Sequence, residues 1–350
     1  MKRLIPFAIA AMLLASCKGG DNFVTTSFDN PVLKQNFPDP TVIDDRERSG
    51  YFYAYATQNG QNEAEGTVYL QIFKSTDMID WEFVGDGFGP GRPQWSEGAR
   101  IWAPDINYIN GKYVLYYAQG VWGDPYKSAS GVAVADNPEG PFVDQGMIVD
   151  YETTGVGNSI DPNFFDDGTA KYLFWGSLGS TSGLYGVQLT DDGLHVKEGS
   201  IPVFLGAKNM EGSYIHKRDG YYYFFASQGS CCEKENSTYH IVVGRASHPF
   251  GPYTDPEGNE LTNLNYSYTI LEAPESKYFA GPGHNAEIIT DDAGQDWMLF
   301  HTYWAGNGYE GRCMAIGQVK WENGWPYFEG GVPMTSGEGP KWLDVHEQSK

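Results

Sequence analysis

Four carboxylates and one imidazole stand in closely similar settings along the chain. They are Asp39 in Phe37-Pro38-Asp39-Pro40, Asp105 in Trp102-Ala103-Pro104-Asp105, Asp161 in Ile160-Asp161-Pro162, Glu211 in Met210-Glu211-Gly212, and His284 in Gly281-Pro282-Gly283-His284-Asn285. Pro fixes φ and has no backbone donor to lose, while Gly lets backbone or ligand approach closely, so these motifs suit a crowded rim. One Asp-Pro alone is an ordinary turn. Recurrence in register is different, because gathering like charges is costly without a function. Two opposed carboxyl groups could act as a general acid and a general base. The acid must keep its proton near neutral pH, so a third carboxylate beside it, or desolvation, has to raise its pKa. Asp39, Asp161 and Glu211 supply those three parts, the set that hydrolysis of a glycosidic bond requires.

The elements that position them are legible as a repeat. An aromatic-rich strand recurs from Tyr51, Tyr113, Tyr172, Tyr221 and Trp297, each copy after a polar turn and each turn after a short apolar strand. Units of roughly fifty to seventy-five residues have the size of four-stranded blades with decorated loops. Five copies predict an all-β, five-bladed β-propeller. In that architecture the first strand of each blade lines a central channel, and the five motif residues form a ring at one end of it. A β-sandwich with chance aromatic strands is the alternative reading.

Composition agrees. The 350 residues are 15% aromatic and include 44 Gly and 20 Pro, a mixture that favours many short strands and tight turns. The formal charge of −22 repels phosphate backbones and argues against nucleic acid as a partner, while neutral polysaccharide is indifferent to it. Lys2 and Arg3 precede an apolar run from Leu4 to Leu14, and Leu14-Ala15-Ser16-Cys17 closes it. This is a secretion signal too short to span a membrane comfortably. Its ending resembles the bacterial lipobox, which would acylate Cys17 and hold an exported protein to the membrane by a lipid anchor alone. Residues 18–33 read as a flexible tether and 34–350 as the folded domain. Cys231 and Cys232 are adjacent and Cys313 is distant. Export permits a disulfide without dictating its pairing, and the absence of Cys-x-x-Cys makes zinc improbable.

From about Asn36 to Trp325 the motifs resemble glycoside hydrolase family 43: Asp39, Asp161 in Asn158-Ser159-Ile160-Asp161-Pro162, Glu211 with Gly212, and His284 in Gly-Pro-Gly-His-Asn. The stretch from Cys231 to Tyr239 is similar to one in the family's endo-α-1,5-L-arabinanases. The resemblance implies that Asp39 is the general base, Glu211 the general acid, and Asp161 the group that raises and orients the acid. It also implies inversion, with Asp39 and Glu211 separated by roughly 6.5–9.5 Å. The substrate would be arabinan or arabinan-containing pectin of the plant cell wall. Asp39, Trp102, Asp105 and Asn158 are the expected substrate contacts, with packing as the alternative for Trp102. His284 is expected to hold a calcium ion, mostly through water because calcium prefers oxygen ligands; a hydrogen-bonded histidine supporting the acid is the other reading. His301 is expected in the core or behind the site. An exo-acting α-L-arabinofuranosidase or β-xylosidase of the same fold, or a surface protein that binds glycan without cutting it, are the rivals. Nothing signals oligomerisation, so a monomer is expected.

Overall fold

A computed structural model describes residues 23–60 and 66–343. The chain is all-β. A first strand, β1 (Phe23–Asp29), precedes five consecutive four-stranded antiparallel sheets. The first sheet holds β2 (Thr41–Asp44), β3 (Phe52–Ala56), β4 (Gln71–Ser75) and β5 (Glu82–Asp86). The second holds β6 (Arg100–Ile109), β7 (Lys112–Val121), β8 (Asp124–Ala135) and β9 (Val143–Asp150). The third is β10 (Asn163–Asp166), β11 (Lys171–Trp175), β12 (Leu184–Gln188) and β13 (Val203–Gly206). The fourth comprises β14 (Met210–Arg218), β15 (Tyr221–Gln228), β16 (His240–Ala246) and β17 (Thr269–Leu271). The fifth comprises β18 (Phe279–Thr290), β19 (Asp296–Trp304), β20 (Arg312–Glu322) and β21 (Trp325–Tyr327), and β22 (Ser336–Leu343) pairs back onto β1 as a sixth, two-stranded sheet.

Each aromatic strand is the second of its sheet, and both of its faces are buried. Alternate side chains therefore serve two different interfaces. Tyr53 and Tyr55 pack with Leu115 and Tyr117 between the first two sheets. Phe52 and Ala54, one residue out of phase, pack with Trp297 and Leu299 of the fifth. Val114 and Tyr116 meet Leu173 and Trp175, Phe174 meets Phe224, and Tyr223 and Phe225 meet Met298 and Phe300. The hydrophobic core is thus five wedges, one between each pair of neighbouring sheets. Burying a large side chain in such a wedge contributes about 1.5–3 kcal/mol.

The first strands close a circuit through hydrogen bonds from backbone to side chain. Ile106 N–H donates to Thr41 Oγ1 (3.1 Å), Phe164 N–H to Asp105 Oδ2 (2.9 Å), and Ile215 N–H to Asn163 Oδ1 (2.9 Å). Ile288 N–H then donates to the Tyr214 hydroxyl (2.8 Å), and Val42 N–H to Glu287 Oε2 (2.6 Å). Every sheet accepts one bond from the next, and the fifth accepts from the first.

Part of the expected tether is folded. Phe23–Asp29 pairs antiparallel with Ser336–Leu343, and Leu33 bridges Met314. Phe28 and Trp342 fill the wedge between the first and fifth sheets. Asn30 fastens the strap, donating to Ile316 O (2.8 Å) and Met334 O (2.9 Å) and accepting from Ile316 N–H (2.9 Å). The segment's apolar residues Phe28 and Leu33 are buried, with Val32 packed beside them. Its partner β22 lies beyond Trp325, where the family resemblance ends. The secretion signal and Cys17 lie outside the described residues.

Asn163 also donates to Asp105 Oδ1 (2.8 Å), so Asn163→Leu would strand a buried amide and a carboxylate oxygen together. We expect it to cost about 2–4 kcal/mol in denaturant unfolding. A loss below about 0.5 kcal/mol would show that the circuit contributes little to closure.

Candidate active site

Asp39, Asp161, Glu211, His284 and Trp102 line one cavity of ≈ 380 Å³, together with Arg100, Trp122, Tyr303 and Arg312. The sites bring in residues from all five sheets because of a shared backbone feature. Asp39 (φ 55), Ala103 (φ 37), Asp161 (φ 56), Gly212 (φ 66) and His284 (φ 43) all lie in the left-handed region just before or within a first strand. A non-glycine residue in that region costs of order 1–3 kcal/mol and persists where the surroundings over-determine it. Those surroundings are polar groups near the ends of the second strands. Asp39 N–H donates to His301 Nδ1 (3.1 Å), Ala103 N–H to Thr57 Oγ1 (2.8 Å), and His284 N–H to Ser227 Oγ (2.8 Å). Gly212 N–H donates instead to the Asp161 carboxylate, at 3.1 Å.

The carboxyl groups have unlike environments. Asp39 accepts from Arg312 Nη1 at 2.8 Å and from Thr57 Oγ1 at 2.6 Å. The imidazoles of His284 and His301 stand 3.4 and 3.2 Å from its Oδ1. Burial alone would push Asp39 up, but Arg312, His284 and His301 outweigh it and hold the carboxyl well below the usual range. Asp161 goes the other way. Burial, then the negative charges of Glu211 and Asp39, raise it well above the ordinary value. Glu211 accepts hydrogen bonds from Ser177 Oγ (2.7 Å) and the Tyr239 hydroxyl (2.8 Å), one on each oxygen. One cavity therefore holds a carboxyl kept well below the usual range and, beside Glu211, another raised well above it. Burial lowers both imidazoles, His301 to about 4, so they are neutral at pH 7.

Two expected contacts do not reach the cavity. Asp105 lies inside the circuit of first strands, where Asn107, Asn163 and Phe164 donate to it. The reason is register: β6 bulges between Trp102 and Asp105, and Ala103, two residues before Asp105, takes the ring position. Asp105 instead stands against Glu287. Burial pushes Asp105 up to about 6; burial and then the charge of Asp105 push Glu287 up to about 8. Asn158 is not among the lining residues either. Its side-chain amide donates to Leu178 O (2.6 Å) and its backbone N–H to Pro125 O (2.8 Å), so it fastens the loop leading to Asp161. Trp102 does face the cavity, its six-membered ring seated on Gly120, where a Cβ would come within 2.0 Å of it.

Arg312, Thr57, Ser177 and Tyr239 were not singled out by the sequence reading. A signal for two of them exists: Thr57 and Ser177 close aromatic strands, as Ser227 does. Nothing in its local sequence marks Arg312. Cys231 and Cys232 form a disulfide on the cavity wall, while Cys313 is a buried free thiol donating to Lys34 O (3.1 Å). As a calcium site the arrangement fits poorly. No cluster of three or more His, Cys, Asp or Glu able to hold a metal exists among the described residues, and His284 offers one nitrogen to an ion that prefers oxygens.

The family model for glycosyl hydrolases family 43 matches residues 28–326. An extracellular endo-α-(1→5)-L-arabinanase of Bacillus subtilis is 31% identical, over 83% of this chain and 87% of its own. An extracellular exo-α-(1→5)-L-arabinofuranosidase of Cellvibrio japonicus is also 31% identical, over 73% of this chain and 79% of its own. Among solved structures, an α-L-arabinanase of Cellvibrio cellulosa complexed with arabinohexaose superposes with a TM-score of 0.72 at 27% identity, covering 84% of this chain and 96% of that one.

The Asp105–Glu287 pair makes a separate prediction. Both carboxyls titrate higher in the folded circuit than in an unfolded chain. Their contribution is therefore complete at low pH and is lost as pH rises through about 6 to about 8. Glu287 faces Thr41 Oγ1, Val42 N–H and Asp105, and a Gln can serve the same partners without ionising. Thermal unfolding of the native chain should fall between pH 6 and pH 9 by more than that of Glu287→Gln. Parallel pH profiles would rule out a shared proton.

Proposed function

Because the chain belongs to glycosyl hydrolases family 43, we propose that it hydrolyses α-1,5-linked L-arabinan with inversion, cutting within the polymer. The five four-stranded sheets, joined in a circuit by their first strands, are read as the blades of a β-propeller whose channel opens at the cavity. The observation that carries the functional reading is the contrast between Asp39 and the Asp161–Glu211 pair in that cavity.

Asp39, kept ionised by Arg312, takes a proton from the attacking water, which adds to the anomeric carbon as the glycosidic bond breaks. Glu211 delivers a proton to the departing oxygen. Asp161 supports this step because burial and the neighbouring charges raise it well above the ordinary carboxyl value, and its carboxylate accepts from Gly212 N–H next to the acid. Ser177 and Tyr239 hold the Glu211 carboxyl in place. Trp102 and Trp122 present aromatic faces for sugar rings. Any calcium at His284 would be held chiefly through water, and no step requires it. The lipobox-like ending at Cys17 supports an exported lipoprotein acting on cell-wall polysaccharide. An exo mode is the second reading, since the Cellvibrio japonicus relative carries that name at the same identity.

Linear arabinan should yield short oligosaccharides early, whereas an exo enzyme would release arabinose alone. Asp39→Asn and Glu211→Gln should each lower kcat by roughly 10²–10⁴ with the fold intact. Full turnover in either variant would remove these assignments, and α-configured first product in NMR would refute inversion.

A further inference from the structure

Outside the cleavage cavity, one surface gathers exposed aromatics without an evident structural need for them. In the β7–β8 hairpin, Val121 pairs with Asp124 but Gln119 pairs with Ala129, so Pro125 to Ser128 leave the ladder opposite Gly120. The bulge throws Tyr126 out to 55% exposure, against Tyr151 at 37%. Their rings meet edge to face at 4.7 Å. Trp95, half-buried, packs over Gly131, where a Cβ would come within 2.0 Å of its ring, and its Nε1 donates to Asp144 (3.1 Å). Trp95, Tyr126 and Tyr151 line a second cavity of ≈ 290 Å³, whose rim carries Lys127, Asp150 and Glu152.

We propose that this cavity is a second glycan-binding site, which holds a neutral stretch of the same polysaccharide away from the cut. The inference rests on the functional reading above. Aromatic faces stack on the C–H faces of sugar rings, and a rim of mixed charge offers both donors and acceptors to hydroxyls. The formal charge of −22 disfavours an anionic polymer. Two links between the hairpin and the cleavage cavity support a polymer as occupant. Trp122, at the tip of the same hairpin and 72% exposed, lines the first cavity and meets Trp102 edge-on at 6.3 Å. The bulge is tied to the loop before Asp161 through Asn158 N–H and Pro125 O (2.8 Å). One strand of glycan crossing the tip would therefore touch both cavities.

The test compares Tyr126→Ala/Tyr151→Ala with the native chain, and with Tyr126→Phe/Tyr151→Phe as the conservative control. In a Glu211→Gln background that leaves polymer uncut, retardation in gels containing linear arabinan should weaken about fivefold or more for the Ala pair and persist for the Phe pair. In the active background KM for arabinan should rise similarly, with kcat and turnover of arabinotriose unchanged. Unaltered retardation, equal losses on polymer and trisaccharide, or preferential retardation by homogalacturonan would overturn the site. Should the native chain cut no arabinan, the functional reading alone fails. Retardation by xylan or galactan that the Ala pair loses would then support the site, and no retardation by any of these glycans would overturn it.

Discussion

Everything at the cavity depends on the closed circuit in which each first strand accepts a hydrogen bond from the next. The acceptors are Thr41, Asp105, Asn163, Tyr214 and Glu287. They differ in chemistry but occupy matching strand positions, so they fix the five strands in a common phase. With the phase fixed, Asp39, Ala103, Asp161 and Gly212 must all fall one level nearer the cavity, two residues before Thr41, Asp105, Asn163 and Tyr214. The left-handed φ at that level then turns each chain sharply at the cavity floor. Strain of this kind is tolerable because Thr57, Ser227 and His301 each receive a backbone N–H at the turn.

The same geometry creates an electrostatic problem, solved differently at the two levels. At the cavity, Arg312 meets Asp39 directly, while burial and the charges of Glu211 and Asp39 make Asp161 harder to ionise. One level down Asp105 and Glu287 stand against each other, and burial makes ionising both too costly. A proton shared there preserves the acceptors without accumulating charge. The cavity needs a fixed ionised group for its proposed chemistry and recruits an arginine; the circuit needs only hydrogen bonds.

How far the sequence reveals this follows from how local each cause is. The aromatic strands were legible because both faces are buried, which favours apolar and aromatic side chains on both sides of the strand. Asp39, Asp161, Glu211 and His284 were legible because the turn beside each needs Pro or Gly. Asp105 was misplaced by the same rule: its Pro104 marks the bulge of β6, and the residue in register is Ala103, which has no functional group to notice. Arg312 starts β20, the strand beyond the aromatic one, and meets Asp39 only because the fifth sheet closes on the first. That contact is a consequence of closure and leaves no local pattern. The strap at Phe23–Asp29 was missed for a related reason, since its stability comes from the far end of the chain.

Closure also explains where variation can occur without loss of the site. Residues in the circuit answer to neighbours on two sheets, so a change there disturbs phase around the whole ring. The β7–β8 tip is held more loosely: Pro125 to Ser128 leave the ladder, and Asn158 N–H donates to Pro125 O. A bulge at such a position can lengthen or change its aromatics while Asp39, Asp161 and Glu211 stay in register. Reach along a polymer and chemistry at the cut are therefore separable in this molecule. The first belongs to loops that escape the sheets, and the second to strands that cannot.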